Sequence, residues 1–151
     1  MLQRIQTVYL LLVAVLMGVT AVSPLAIFKD VQGNFLVLES LGVFFEGQKA
    51  YPTWGIVSVA GFSALLSFLN IFQFKNRKKQ IKLCAFNTIL ILFLYVTIAT
   101  YLYFGQRALV LTFESVQYGV VLPVIALIFN VLALVKIKAD EKLVRSLDRI
   151  R

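Results

Sequence analysis

The sequence predicts a mainly α membrane domain: a four-transmembrane-helix bundle, a small extracytoplasmic antiparallel β-sheet formed by the two outer loops, and a short cytoplasmic C-terminal amphipathic helix. Three observations lead there. Four long apolar runs carry no Asp, Glu, Lys or Arg, basic residues collect on one side of those runs, and the connections on the other side have the composition of short strands.

The chain has 151 residues, of which 60% are hydrophobic and 15% charged. Its mean hydropathy is +0.89, more apolar surface than a soluble domain of this length buries. A helix crosses a hydrocarbon core of about 30 Å with roughly 20 apolar residues. The runs Val8 to Phe28, Trp54 to Phe74, Leu83 to Phe104 and Tyr118 to Val135 approach or meet that length. The fourth is the shortest, and Lys136 and Lys138 extend it by snorkelling. Arg4 and the small residues from Ala21 to Ala26 also suit a cleaved leader, but the first run exceeds the ~7 to 15 apolar residues of such a segment and is read as a retained span. The division is therefore one domain, 1–151, with spans 8–28, 54–74, 83–104 and 118–135, outer loops 29–53 and 105–117, an inner loop 75–82 and a tail 136–151.

Charge sets the expected orientation. Of the fifteen Lys and Arg residues, twelve fall in three segments: Arg4, the cluster Lys75, Arg77, Lys78, Lys79 and Lys82, and the tail with Lys136, Lys138, Lys142, Arg145, Arg149 and Arg151. By the positive-inside rule these segments, and both termini, are cytoplasmic. The net charge of +8 is thereby explained without nucleic acid. Anionic lipid is the expected partner of the basic face, at about 1 kcal/mol per basic residue near the surface.

The chain has no His and one Cys, Cys84. An intrachain disulfide and a cysteine metal cluster are ruled out, and the commonest general base and metal ligand are missing. No phosphate-binding, dinucleotide, zinc or nucleophile-elbow pattern occurs. Glu114 beside Ser115 lacks a neighbouring base or second carboxylate. The expectation is a chain without catalytic residues, cofactor or metal, and not an enzyme.

In chain order, Ser23-Pro24 is expected to kink or end the first helix, since proline donates no backbone bond. Gln32-Gly33-Asn34 is a turn signal, followed by Phe35 to Ser40 and Val43 to Glu46, which read as a hairpin or three-strand meander. Thr53 is a plausible N-cap, and Trp54, Tyr51, Tyr101, Tyr103 and Phe104 suit an aromatic belt. Leu109 to Ser115 alternates and echoes the first loop, so strands from both loops are expected to join in one outer sheet. Pro123 predicts a kink in the fourth helix. Leu143, Val144, Leu147 and Ile150 recur at spacings of three and four, an amphipathic stripe in the tail.

Inside the spans, Asn70, Asn87 and Asn130 all fall toward the inner leaflet and are candidate interhelical hydrogen-bonding residues. The bland role is helix glue, and the functional one is a polar site for a lipid headgroup or solute. No intramembrane ionisable group marks a proton relay or a substrate counter-ion. Small residues four apart, such as Ala14 with Gly18 and Ala60 with Ala64, serve close helix packing. The candidate partner-contact residues are Leu143, Val144, Leu147 and Ile150 in the tail and Phe44, Phe45 and Phe113 in the outer loops.

Two end segments carry a family resemblance: Met1-Leu-Gln-Arg-Ile-Gln-Thr-Val-Tyr-Leu-Leu-Leu12 and Ala139-Asp-Glu-Lys-Leu-Val-Arg-Ser-Leu-Asp-Arg-Ile-Arg151. On these the chain resembles, over its whole length, a family of small four-span inner-membrane proteins of the Bacteroidota, domain-of-unknown-function family 4293. The resemblance implies a bacterial inner membrane and no assigned site residues. The layout is also similar to that of claudin-like bundles, an analogy without a shared motif. The expected function is a non-enzymatic accessory or scaffold subunit with a membrane-protein partner and, through the tail, a cytoplasmic one. The alternative is a four-helix protein that binds or transports a lipid or small molecule.

Overall fold

In the computed structural model, which describes residues 2–45, 48–109 and 111–148 and the side chains of 5–44, 52–74, 76–107, 111–144 and 146, the first helix stops before its apolar run does. Helix α1 spans Leu2–Thr20. The hydroxyls of Thr20 and Ser23 donate back to the Leu16 and Val19 carbonyls at 2.8 and 2.7 Å, occupying acceptors at the helix end. Pro24 follows, and the chain leaves as strand β1, Pro24–Lys29. The expected span 8–28 is thus a helix and a strand. Leu25, Ala26 and Phe28 are all buried, and a strand buried on both sides carries the same continuous apolar signal as a helix.

The remaining strands are β2 (Phe35–Glu39), β3 (Gly42–Phe45), β4 (Gln48–Pro52) and β5 (Thr112–Val116). They form one antiparallel sheet in the order β4-β3-β2-β1-β5. Both outer segments do join in a single sheet, as the alternation predicts. Its second-to-last strand, however, comes from the end of the first apolar run, so five strands form where a three-strand meander and one partner were expected. The β1–β2 turn uses Gly33 at φ 88°, a left-handed conformation that suits glycine. In register, Phe28 faces Leu36 and Ala26 faces Leu38, which faces Val43 in turn, giving one buried row toward the helices.

Helices α2 (Trp54–Phe72), α3 (Arg77–Leu109) and α4 (Leu122–Asp148) complete the fold. Helix α1 packs on α2 and α4, and α3 packs on the same two. A 3-10 turn, Gln73–Lys75, and Asn76 connect α2 to α3. Most of the expected inner loop 75–82 is therefore helix, because Lys, Arg and Gln are good helix formers and Gln80 N–H already bonds the Asn76 carbonyl at 3.0 Å. The expected separate tail helix is likewise absorbed into α4, which runs unbroken to Asp148. Pro123 sits at the second residue of α4, where a missing N–H is harmless, so its predicted kink becomes a helix start. Thr53 precedes α2 without a side-chain cap; its hydroxyl instead donates to the Glu39 and Ser40 carbonyls, both at 3.0 Å.

Three helical stretches, Trp54–Phe72, Arg77–Arg107 and Tyr118–Val144, are long and apolar enough to cross a membrane; the apolar part described for α1, Ile5–Thr20, is shorter. The bundle is apolar outside and holds a few polar side chains within its apolar core. Phe62, Leu65, Ile89, Phe93, Ile128 and Val135 are exposed, whereas Asn70, Asn87 and Asn130 are buried. A helix exterior this apolar is compatible with a hydrocarbon solvent.

Between the sheet and α4, Gly119 lies so close to β1 that an added Cβ would stand 2.3 Å from the Pro24 carbonyl and 3.0 Å from Ser23 Cβ. Gly119→Ala is expected to lower stability by about 1–3 kcal/mol, as overpacking does. Gly61→Ala, with nothing within 4 Å of its added Cβ, is expected to be neutral or to stabilise. Thermal unfolding of the two variants in mild detergent checks the contrast.

Candidate functional site

Each helix presents one buried stripe at helical spacing, and the polar residues of interest lie on those stripes. Ser63, Ser67 and Asn70 fall on the stripe of α2 with Ile56 and Ala60; Gln80, Cys84 and Asn87 on that of α3 with Ile91 and Leu94; Asn130 and Asp140 on that of α4 with Ala126, Ala133 and Ile137. Packing the stripes together brings the polar groups into contact between α2, α3 and α4.

Asn87 is the hub. Ser63 Oγ donates to its Oδ1 at 2.7 Å, and its Nδ2 donates to Ser67 Oγ at 2.9 Å and to Asn130 Oδ1 at 3.4 Å. Asn130 Nδ2 donates to the Cys84 carbonyl and to Thr88 Oγ1, both at 2.9 Å. Each carboxamide thus uses both amide protons and its oxygen. Asn70 stands lower, beside the α2–α3 turn, where its Nδ2 donates to Cys84 Sγ at 3.1 Å and to the Gln80 carbonyl at 3.4 Å. Gln80 Nε2 returns a bond to the Asn70 carbonyl at 3.4 Å. The three asparagines do converge on neighbouring helices, as their placement in the sequence predicts, but only Asn87 and Asn130 bond to each other directly.

A second polar contact lies at the basic end. Gln6 Nε2 donates to Asp140 Oδ2 at 2.6 Å, and Arg77 Nη1 donates to the Asp140 backbone carbonyl at 3.1 Å. Gln6 and Asp140 are 6% and 8% exposed, so α1, α3 and α4 are tied where the apolar runs end. Sequence reasoning assigned Asp140 to an aqueous tail and passed over Gln6. The signal was there: Gln6 continues the stripe of Leu10, Val13 and Met17, and Asp140 that of Ala133 and Ile137.

The candidate contact residues are split between the two ends. Leu143 and Val144 are 57% and 39% exposed near the end of α4. The side chain of Leu147 and all of Ile150 lie outside the described residues, as does the side chain of Phe45. Phe44 is half-buried, in register with Val37 on the face opposite the buried row. Phe113, on the edge strand β5, is 46% exposed and packs edge-to-face on Phe28 at 6.2 Å. Among the described residues, no group of three or more Cys, Asp or Glu is placed to hold a metal ion. The Asn87–Asn130 cluster is built of carboxamides, hydroxyls and a backbone carbonyl, groups that donate and accept hydrogen bonds.

Fold and site together define a mainly helical chain with apolar helix exteriors compatible with a membrane, a polar interhelical cluster and a small antiparallel sheet at one end. The chain belongs to the family described as Domain of unknown function (DUF4293), whose model matches residues 2–150. Neither the curated proteins nor the solved structures contain a match.

Asn87→Leu removes three contacts worth about 0.6 kcal/mol each in a membrane interior, and is expected to destabilise the bundle by roughly 2 kcal/mol. Thr97→Val, whose hydroxyl bonds, among the described residues, the Phe93 carbonyl of its own helix, is expected to stay within about 0.5 kcal/mol. Denaturant titration of the detergent-solubilised variants reads the difference.

Proposed function

We propose that the chain is a four-span protein of the bacterial inner membrane, with both termini cytoplasmic, that acts as a non-enzymatic accessory or scaffold subunit of a larger membrane assembly. The observation that carries this reading is the pairing of an Asn87–Asn130 cluster satisfied within the bundle with exposed apolar side chains at both ends of the helices. Asn87 and Asn130 spend their hydrogen bonds on neighbouring helices, whereas Leu143 and Val144 at one end and Phe113 at the other are open. Such surfaces, at the two ends of the helices, suit contact with another protein.

The fourth span is α1. Its 19 helical residues rise about 28 Å, close to the hydrocarbon thickness, and its outer face carries Val8, Leu11 and Val15. Orientation follows from charge: exposed Lys78, Lys79, Lys82, Lys136, Lys138 and Lys142 gather at the end away from the sheet. That end meets the anionic leaflet. The second reading, a lipid- or small-molecule-binding bundle, draws on the polar residues that run from Ser63 to Gln80. It is the weaker one because so many of them bond one another.

Crosslinking in native membranes followed by mass spectrometry is expected to recover a stoichiometric membrane-protein neighbour. Leu143→Ser with Val144→Ser is expected to release a partner held by the tail. Truncation is the poorer test, since loss of Asp140 would also untie α1. Recovery of the chain alone, with a defined lipid occupancy by native mass spectrometry, would favour the second reading.

Orientation is read separately in a Cys84→Ser background. Val31→Cys, at the sheet's hairpin tip and 81% exposed, is expected to react with an impermeant thiol reagent in intact spheroplasts. Lys79→Cys is expected to react only after permeabilisation, and the reverse pattern inverts the topology.

A further inference from the structure

The polar cluster has one gap. Asn70 is 1% exposed, and its Oδ1 is buried and accepts no hydrogen bond from any described residue. Native interiors rarely leave such an atom bare; where no protein group reaches it, ordered water does. The contrast with the other two carboxamides is sharp. Asn87 and Asn130 engage both amide protons and the oxygen, each with groups on a neighbouring helix.

The chemistry of the gap narrows the ligand. In the orientation described, Nδ2 is engaged by Cys84 Sγ and the Gln80 carbonyl, and the free atom is an acceptor. Turning the carboxamide over places Oδ1 beside the Cys84 thiol, which then donates to it, but also against the Gln80 carbonyl oxygen, acceptor to acceptor, and the free atom becomes an N–H donor. A cation satisfies only the first arrangement and an anion only the second. Water satisfies both, because it donates and accepts. Burial points the same way: Asn70, Gln80 and Cys84 are 1%, 5% and 0% exposed, which shuts the atom off from bulk solvent and from anything as large as a lipid headgroup.

The atom lies near the end of its helix. Asn70 is near the end of α2, a few residues before the tight turn at Gln73–Lys75, and Gln80 and Arg77 lie between it and the basic end. Toward the sheet, Ala60, Ile91, Leu94 and Ala126 form a buried apolar layer above the Asn87–Asn130 pair.

We propose that Asn70, with Cys84 and Gln80 as the polar walls, holds one internal water molecule at the basic end of the α2–α3 pair, and that hydration stops there. The assignment is independent of any partner protein.

The test uses water itself as the probe. The full chain, labelled with nitrogen-15 and solubilised in a detergent without hydroxyl groups, is examined by water-to-amide rotating-frame Overhauser spectroscopy on its side-chain carboxamides. The expected result is a direct water contact at Asn70 Nδ2 and none at Asn87 or Asn130, with exposed Gln73 as the positive control. Asn70→Leu should erase the signal without creating another in the bundle. If that variant does not fold, the wild-type comparison alone decides. A contact at Gln73 with none at Asn70 overturns the site, and equal contacts at all three asparagines overturn the claim that hydration stops at Asn70.

Discussion

Everything else in this bundle is arranged around the Asn87 carboxamide, the group at which α2, α3 and α4 meet. In a hydrocarbon solvent, helices gain no hydrophobic free energy by associating, so packing and interhelical hydrogen bonds set their register. Ser63, Ser67 and Asn130 each bond Asn87, and a shift of one helix along another by a single residue would break the set. The cluster is small, but in an apolar surrounding its directionality is what fixes the register.

Helix α1 takes no part in that cluster and is secured at its ends. At the sheet end, Ser40 Oγ donates to the Thr20 carbonyl at 2.7 Å, and Thr53 holds the carbonyls of Glu39 and Ser40, so the β2–β3 turn is stitched to the end of α1 and the start of α2. At the basic end, Gln6 holds Asp140. Between these ties, Leu10, Val13 and Met17 supply apolar packing. The sheet is thus a structural lid as well as a surface, since β1 continues α1 and β5 continues α3 into the same ladder.

Much of this was legible in the chain. The second to fourth apolar runs, the strand composition of Phe35 to Ser40, the alternation of Leu109 to Ser115 and the Gly33 turn each carry a local signal, and helices, strands and a turn stand at those places in the structure. The failures share a cause. Leu25 to Phe28 is apolar throughout, and only its pairing with β2 and β5 makes it a strand rather than the last turn of a helix. Lys78 to Lys82 look like a loop by polarity, yet their intrinsic preference is helical and nothing interrupts α3. Asp140 has a charged side chain, which argued for solvent, whereas its helical phase with Ile137 and Ala133 argued for burial, and phase won.

The sequence alone therefore indicated helices apolar enough for a membrane and a basic character at one end. Composition and the clustering of lysines are sums over residues and need no knowledge of which side chain touches which. Only the tertiary structure decided that Asn87 and Asn130 satisfy one another, that Gln6 meets Asp140, and that Asn70 is left with one unmet atom. Those outcomes depend on the relative rotation of four helices. A change of a few ångströms or of one helical position, invisible in any single segment, would reassign every donor and acceptor among them.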